Sequence, residues 1–101
     1  MDETIIQSLR SQIDSIDKSL VELLTKRMEL AYQIGREKGK TGQPVTVPGR
    51  EEEIYHSLEG VQSRFLKPAD LKALFTQIIA LGRKAGQEGA RDTNENKEHS
   101  S

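Results

Sequence analysis

The chain has no cysteine and no tryptophan, and only three prolines among 101 residues. Without cysteine, disulfides, a thiol nucleophile and Cys-type zinc sites are excluded. Aromatic residues make up 4% and hydrophobic residues 34% of the chain, both low for a chain that buries a core of its own. Neither sign of charge dominates. The 15 basic and 16 acidic residues leave a formal charge of -1 at pH 7, so the basic excess that a general nucleic-acid footprint needs is missing. No apolar run approaches a membrane span. Asp2, Glu3, Gln7 and Arg10 interrupt the N-terminal stretch that a signal peptide would need apolar. The expectation is a cytoplasmic protein with no nucleic-acid or membrane partner.

What the chain does have is a long helical pattern from Thr4 to about Lys38. Ile6, Leu9, Ile13, Ile16, Leu20, Leu23, Leu30 and Ile34 are spaced mostly three and four apart, the seam of an amphipathic or coiled-coil helix. The step between Leu23 and Leu30 falls on Arg27, a cation where an apolar residue belongs. A helix of about 35 residues is on the order of 50 Å long, whereas a compact 100-residue domain has a radius of gyration near 13 Å. The rest of one chain cannot wrap such a helix, which predicts oligomerisation, most simply a two-fold dimer.

Thr4 or Asp2 is placed to cap this helix, and Gly39, Gly42 and Pro44 to stop it. Residues 39–49 read as a loop. A second helix is predicted from about Gly49 to Gln62, with Glu51, Glu52 and Glu53 suiting the positive end of its dipole and Ile54, Leu58 and Val61 on its apolar side. Phe65 and Leu66 are expected to tuck inward. Pro68 suits the first position of a third helix, whose expected buried face is Leu71, Leu74, Phe75, Ile78, Ile79 and Leu81. Residues 1–87 thus form one all-α domain of one long and two shorter helices. Residues 88–101, with no apolar side chain beyond Ala90, are expected to be a disordered polar tail.

The chemistry on offer is narrow. His56 and His99 have no ligand cluster around them, so no metal site is expected. GKTG at 39–42 is not a phosphate loop, because it lacks the P-loop spacing and follows a helix. There is no triad signature and no cofactor motif. Arg27 and Lys38 are eleven residues apart, a rotation of roughly 1100°, so they share a helix face to within about 20°. Solvated cations near a helix end are the commoner fate of such residues, but Arg27 interrupts the seam. Arg10 is seventeen residues from Arg27, about 25 Å along the axis. A straight helix cannot bring those two side chains together, and an antiparallel helix from another subunit can. Cations at positions that should be apolar would suit a small dianionic ligand.

The run Leu9-Arg10-Ser11-Gln12-Ile13-Asp14-Ser15-Ile16-Asp17, then Leu23-Leu24-Thr25-Lys26-Arg27, Ala31, Ile34-Gly35, Lys38, Pro44-Val45 and Arg50-Glu51, resembles the all-α (type II) chorismate mutases. The similarity covers about residues 4–85 and is weakest in the third helix. The resemblance implies an intertwined homodimer with shared sites, no cofactor, and the Claisen rearrangement of the dianion chorismate to prephenate, the branch step towards phenylalanine and tyrosine. It implies that Arg27 holds a substrate carboxylate, that Lys38 donates to the ether oxygen and a carboxylate, and that Arg10 reaches into the partner's site. Arg50 matches a supporting cation and Glu51 the acceptor of the ring hydroxyl. The backbone N–H of Val47 falls near that hydroxyl, and Gly82 where a small residue touches a carboxylate.

The third helix departs from the family pattern. A Gln or Glu eleven residues after Phe75 would donate a second hydrogen bond to the ether oxygen, and that position is Gly86. Gln87 is one further, rotated by about 100°. Either Gly82 and Gly86 permit a distortion that turns Gln87 into the site as a catalytic donor, or the site lacks that donor. An isochorismate pyruvate-lyase of the same fold uses much the same cations, and a non-catalytic helical dimerisation or regulatory module would keep the fold without turnover.

Overall fold

Forty successive residues without a proline form a single helix. In a computed structural model, which describes residues 2–99 with their side chains through Asn94, the elements are α1 (Asp2–Thr41), α2 (Arg50–Glu59) and α3 (Pro68–His99), with no strand among the described residues. The shape is elongated, 69 × 29 × 14 Å with a radius of gyration of 18.6 Å, well above the value of about 13 Å for a compact domain of this length.

Helix ends follow local chemistry, with small shifts from the sequence-based bounds. α1 begins at Asp2, so Thr4 lies inside it; Asp2 and Glu3 occupy its first turn and Lys38 and Lys40 its last, each matched to the helix dipole. Gly39 does not stop α1. Gly42 does, at φ 71°, where the Gln43 N–H donates to the Lys38 carbonyl at 3.0 Å. Gly49, at φ 91°, turns the chain into α2. α2 ends at Glu59, three residues before Gln62, with Gly60 as its C-cap. α3 starts at Pro68, and the Asp70 carboxylate accepts the Lys67 N–H at 3.0 Å, half of a capping box.

α1 and α3 run side by side in the same direction and approach through glycines. Gly35 lies against Gly86, Gly39 against Ala90, and Gly89 against the Tyr32 carbonyl. These glycines are therefore contact points where backbone meets backbone, and not merely weak positions near helix ends. α2 packs on α3. The Tyr55 and Thr76 hydroxyls are 3.1 Å apart, and the Lys72 ammonium stands 5.4 Å from the centre of the Tyr55 ring.

Two expectations are corrected. First, α3 continues through residues 88–99, where the polar composition predicts disorder. Composition misses that this segment needs only small residues on one side to pack: Gly89 and Thr93 are buried, and the Thr93 hydroxyl lies 3.0 Å from the Gly89 carbonyl and 3.2 Å from that of Arg36. The Tyr32 hydroxyl also donates to the Asp92 carboxylate. Ser100 and Ser101 lie outside the described residues. Second, Phe65, at 81% exposure, and Leu66, Leu74, Val61 and Leu81 are exposed. α3 meets α1 through its small residues, so Leu74 and Leu81 on its other faces stay uncovered, and Val61, Phe65 and Leu66 lie in the connection between α2 and α3. Ile79 and Leu58 are the buried apolar side chains among the described residues.

The glycine crossing has a direct test. A Cβ on residue 35 would fall onto the Gly86 carbonyl, whereas one on Gly60 meets nothing within 4 Å. Gly35→Ala improves intrinsic helix propensity by roughly 0.8–1.0 kcal/mol, but forcing the two backbones apart costs about 1–3 kcal/mol or more. Thermal unfolding followed by circular dichroism is expected to show a lower Tm for Gly35→Ala and none of that loss for Gly60→Ala.

Candidate functional site

A cleft of about 520 Å³ opens where the C-terminal part of α1, the loop 42–49, the first turns of α2 and the middle of α3 converge. Arg27 and Lys38 enter from α1, Val47 from the loop, Arg50 and Glu51 from α2, and Gly82 from α3. These six are the substrate-contacting positions read from the sequence, apart from Arg10, and the fold brings them together. Leu30, Ile34, Ile54 and Ile79 supply apolar surface between the charges.

Helix phase explains the cation in the seam. Arg27 is half-buried and faces the cleft together with Ala31, Ile34 and Lys38, the face that the eleven-residue spacing predicts. Gly82 makes room for it, since a Cβ there would lie 3.1 Å from Arg27 Nη1. Lys38 Nζ donates to the Val45 carbonyl at 3.0 Å, which fixes the ammonium at the junction of α1 and the loop. Arg50 Nη1 lies 3.2 Å from Glu53 Oε2 within the first turn of α2, both side chains largely in solvent, so this pair contributes little to stability. Four positive side chains, Arg27, Lys38, Arg50 and Arg83, against two carboxylates, Glu51 and Glu53, leave this part-apolar hollow net positive, which suits a small ligand with more than one negative charge.

Two residues assigned to the site from the sequence lie outside this chain's cleft: Arg10, expected in a partner's site, and Gln87, expected in this one. Arg10 is exposed on the N-terminal half of α1, about 25 Å along the helix from Arg27. Gln87 is also exposed, and α3 is a regular helix through this region, so the distortion that Gly82 and Gly86 would permit is absent. The reason is the glycine crossing: Gly86 is buried against Gly35, and a Cβ on it would lie 2.9 Å from Val45 Cγ1. Rolling α3 to bring Gln87 inward would break that contact. Gln87→Ala is therefore expected to change turnover less than twofold, as measured in a steady-state assay; a tenfold loss would mean that α3 rolls when ligand binds.

Two charged cleft residues, Arg83 and Glu53, are not among those the sequence assigns to the site. Arg83 of α3 lines the cleft and its Nη2 donates to Glu51 Oε1 of α2. Nothing in the pattern of α3 signals it, because its partner is 32 residues away on another helix. No Cys, His or Ser lines the cleft among the described residues, and Thr46 brings its one hydroxyl. Such a site can bind, fold and polarise a ligand, but it offers no obvious nucleophile.

Known proteins resemble this one in sequence and in fold. The crystal structure of chorismate mutase from Helicobacter pylori in complex with prephenate superposes with a TM-score of 0.77 at 30% identity, covering 87% of this chain and 96% of that one. A T-protein from Enterobacter agglomerans is 41% identical over 66 residues, 65% of this chain but 18% of the T-protein, so the chain spans under a fifth of that relative's length. A 4-amino-4-deoxychorismate mutase from Streptomyces venezuelae is 36% identical over 45 residues, 45% of this chain and 44% of that protein. The family model of chorismate mutase type II matches residues 9–87, a span that takes in Arg10, the Gly35–Gly86 contact and every charged residue of the cleft, and the chain belongs to that family.

Proposed function

We propose that this domain converts chorismate to prephenate in aromatic amino-acid biosynthesis, as a homodimer with two shared sites. The observation that carries this reading is the convergence of Arg27, Lys38 and Arg50 opposite Glu51 in a cleft without an obvious nucleophile. The rearrangement is intramolecular: the ether C–O bond breaks as a C–C bond forms, and no proton changes hands. Catalysis then consists of holding a compact conformer and stabilising negative charge on the ether oxygen.

Each cleft residue has a part in that chemistry. Arg27 takes a substrate carboxylate in a charge-assisted pair. Lys38 donates to the ether oxygen, where charge develops. Glu51 accepts the substrate's ring hydroxyl, with the Val47 N–H beside it. Arg50 supports the anion's charge from α2, and Gly82 leaves space for the carboxylate held by Arg27. Arg10 completes the partner's site.

The dimer rests on the face of α1 that this chain leaves bare. Ile5, Ile6, Leu9, Ile13, Ile16, Leu20, Val21, Leu23 and Leu24 are exposed, more contiguous apolar surface than a monomer ordinarily leaves in water. A second copy with its α1 antiparallel covers this stripe and brings its Arg10 towards the cleft.

The test is incubation of the purified protein with chorismate and, separately, isochorismate, with product identification. Prephenate from chorismate supports the reading. Salicylate and pyruvate from isochorismate alone would assign a lyase, and no product from either would leave a non-catalytic dimer module.

A further inference from the structure

Arg83 has no part in the roles above, yet it pairs with Glu51, the residue that would read the ring substituent of the ligand. We infer that Arg83 is a positioning residue that, by holding Glu51, makes the cleft select a neutral hydroxyl over a positively charged amino group on the ring of its substrate. This inference rests on the chorismate mutase reading.

Of the two carboxylates among the cations of the cleft, Glu53 pairs with Arg50, and the other is Glu51. Left bare, it would repel a dianionic ligand and attract an ammonium. Arg83 changes both tendencies. Its guanidinium reaches from α3 to α2 and donates to Oε1 of Glu51, while Oε2 takes no part in that bond. The side chains of Arg83 and Glu51 are 43% and 35% exposed, against 66% and 70% for Arg50 and Glu53. The Arg83 pair is thus the less solvated of the two, and its charges are felt more strongly inside the cleft. A carboxylate held by a guanidinium still accepts a hydrogen bond at its second oxygen, but the pair carries no net charge to favour an ammonium. A hydroxyl loses little in front of such a pair, and an ammonium loses its counter-charge.

A purely structural pair, tying α2 to α3, would affect every ligand alike, so the ratio between two substrates distinguishes the cases. The experiment uses the full chain as wild type, Arg83→Gln and Arg83→Lys. It measures kcat/KM for chorismate and for 4-amino-4-deoxychorismate, in which an amino group replaces the ring hydroxyl. If the amino compound is not turned over, its inhibition constant against chorismate is used instead. Arg83→Gln is expected to lower kcat/KM for chorismate about tenfold, mainly through KM, because a bare Glu51 repels the dianion. The preference for hydroxyl over amino is expected to fall by at least about tenfold, and Arg83→Lys, which keeps the charge, to restore most of it. A preference unmoved in Arg83→Gln overturns the inference, as does a preference that falls equally in Arg83→Lys. A wild type that produces no prephenate from chorismate overturns the functional reading and the inference with it; prephenate formed with an unmoved preference overturns the inference alone.

Discussion

Lys38→Met is expected to lower kcat for prephenate formation by about 10²–10³, the typical loss on removing one donor aimed at a developing oxyanion, with a smaller change in KM. Methionine keeps the length and much of the apolar stem of lysine, so the last turn of α1 stays packed and only the donor is lost. The ammonium is held at the Val45 carbonyl, 3.0 Å away, which pins it before ligand arrives and reduces the reorganisation needed during the reaction. The separation between kcat and KM is informative. A cation that only binds the dianion would raise KM, whereas one that meets charge appearing in the transition state lowers kcat. Steady-state kinetics following chorismate loss decide between them, and a KM effect alone would move Lys38 from the ether oxygen to a carboxylate.

Arg10→Ala is expected to abolish nearly all activity without unfolding the protein, even though Arg10 touches nothing of the cleft within its own chain. The residue is exposed on a helix that the remainder of the chain leaves uncovered, so its loss breaks no packing here. Its effect has to come through a second copy. Arg27→Ala should be equally inactive. Mixing the two inactive proteins is expected to restore activity, because each heterodimer pairs an intact Arg27 with an intact Arg10 at one of its two sites. Equal mixing with full exchange makes half of the dimers heterodimers, each with one working site, and gives about a quarter of wild-type activity. No recovery, with exchange verified by mass spectrometry of differently tagged copies, would mean that the sites are not shared between subunits.

Much of the architecture was legible because helices announce themselves locally. The absence of proline from 2 to 43, the three- and four-residue spacing of apolar side chains, Gly49 before a run of glutamates and Pro68 before Asp70 each act within a few residues of where they stand. Two of the cleft cations were legible for a related reason. Arg27 violates its own seam, and Lys38 shares its face by helical arithmetic. Legibility ended where the deciding contact joined residues far apart in the chain. Gly35 and Gly86 are both unremarkable as helix-weakening residues, and only their meeting explains them. That meeting fixes the rotation of α3, and so leaves Gln87 in solvent.

The same limit explains the misread tail. Residues 88–99 lack the apolar side chains by which a buried helix is ordinarily detected, yet α3 continues because Gly89 and Thr93 fit closely against Tyr32, Arg36 and Gly39. Backbone contact of that kind leaves almost no trace in hydropathy. By itself, then, the sequence determined three helices, the polarity of their ends, a stripe too apolar and too long for one chain to cover, and a face carrying Arg27 and Lys38. The tertiary structure decided which glycines touch, that Gln87 turns away, and that Arg83 grips Glu51. The difference is physical: helix propensity, capping and periodicity are set by neighbours within about one turn, whereas the rotation of one helix against another is set by close packing between residues that only the fold brings together.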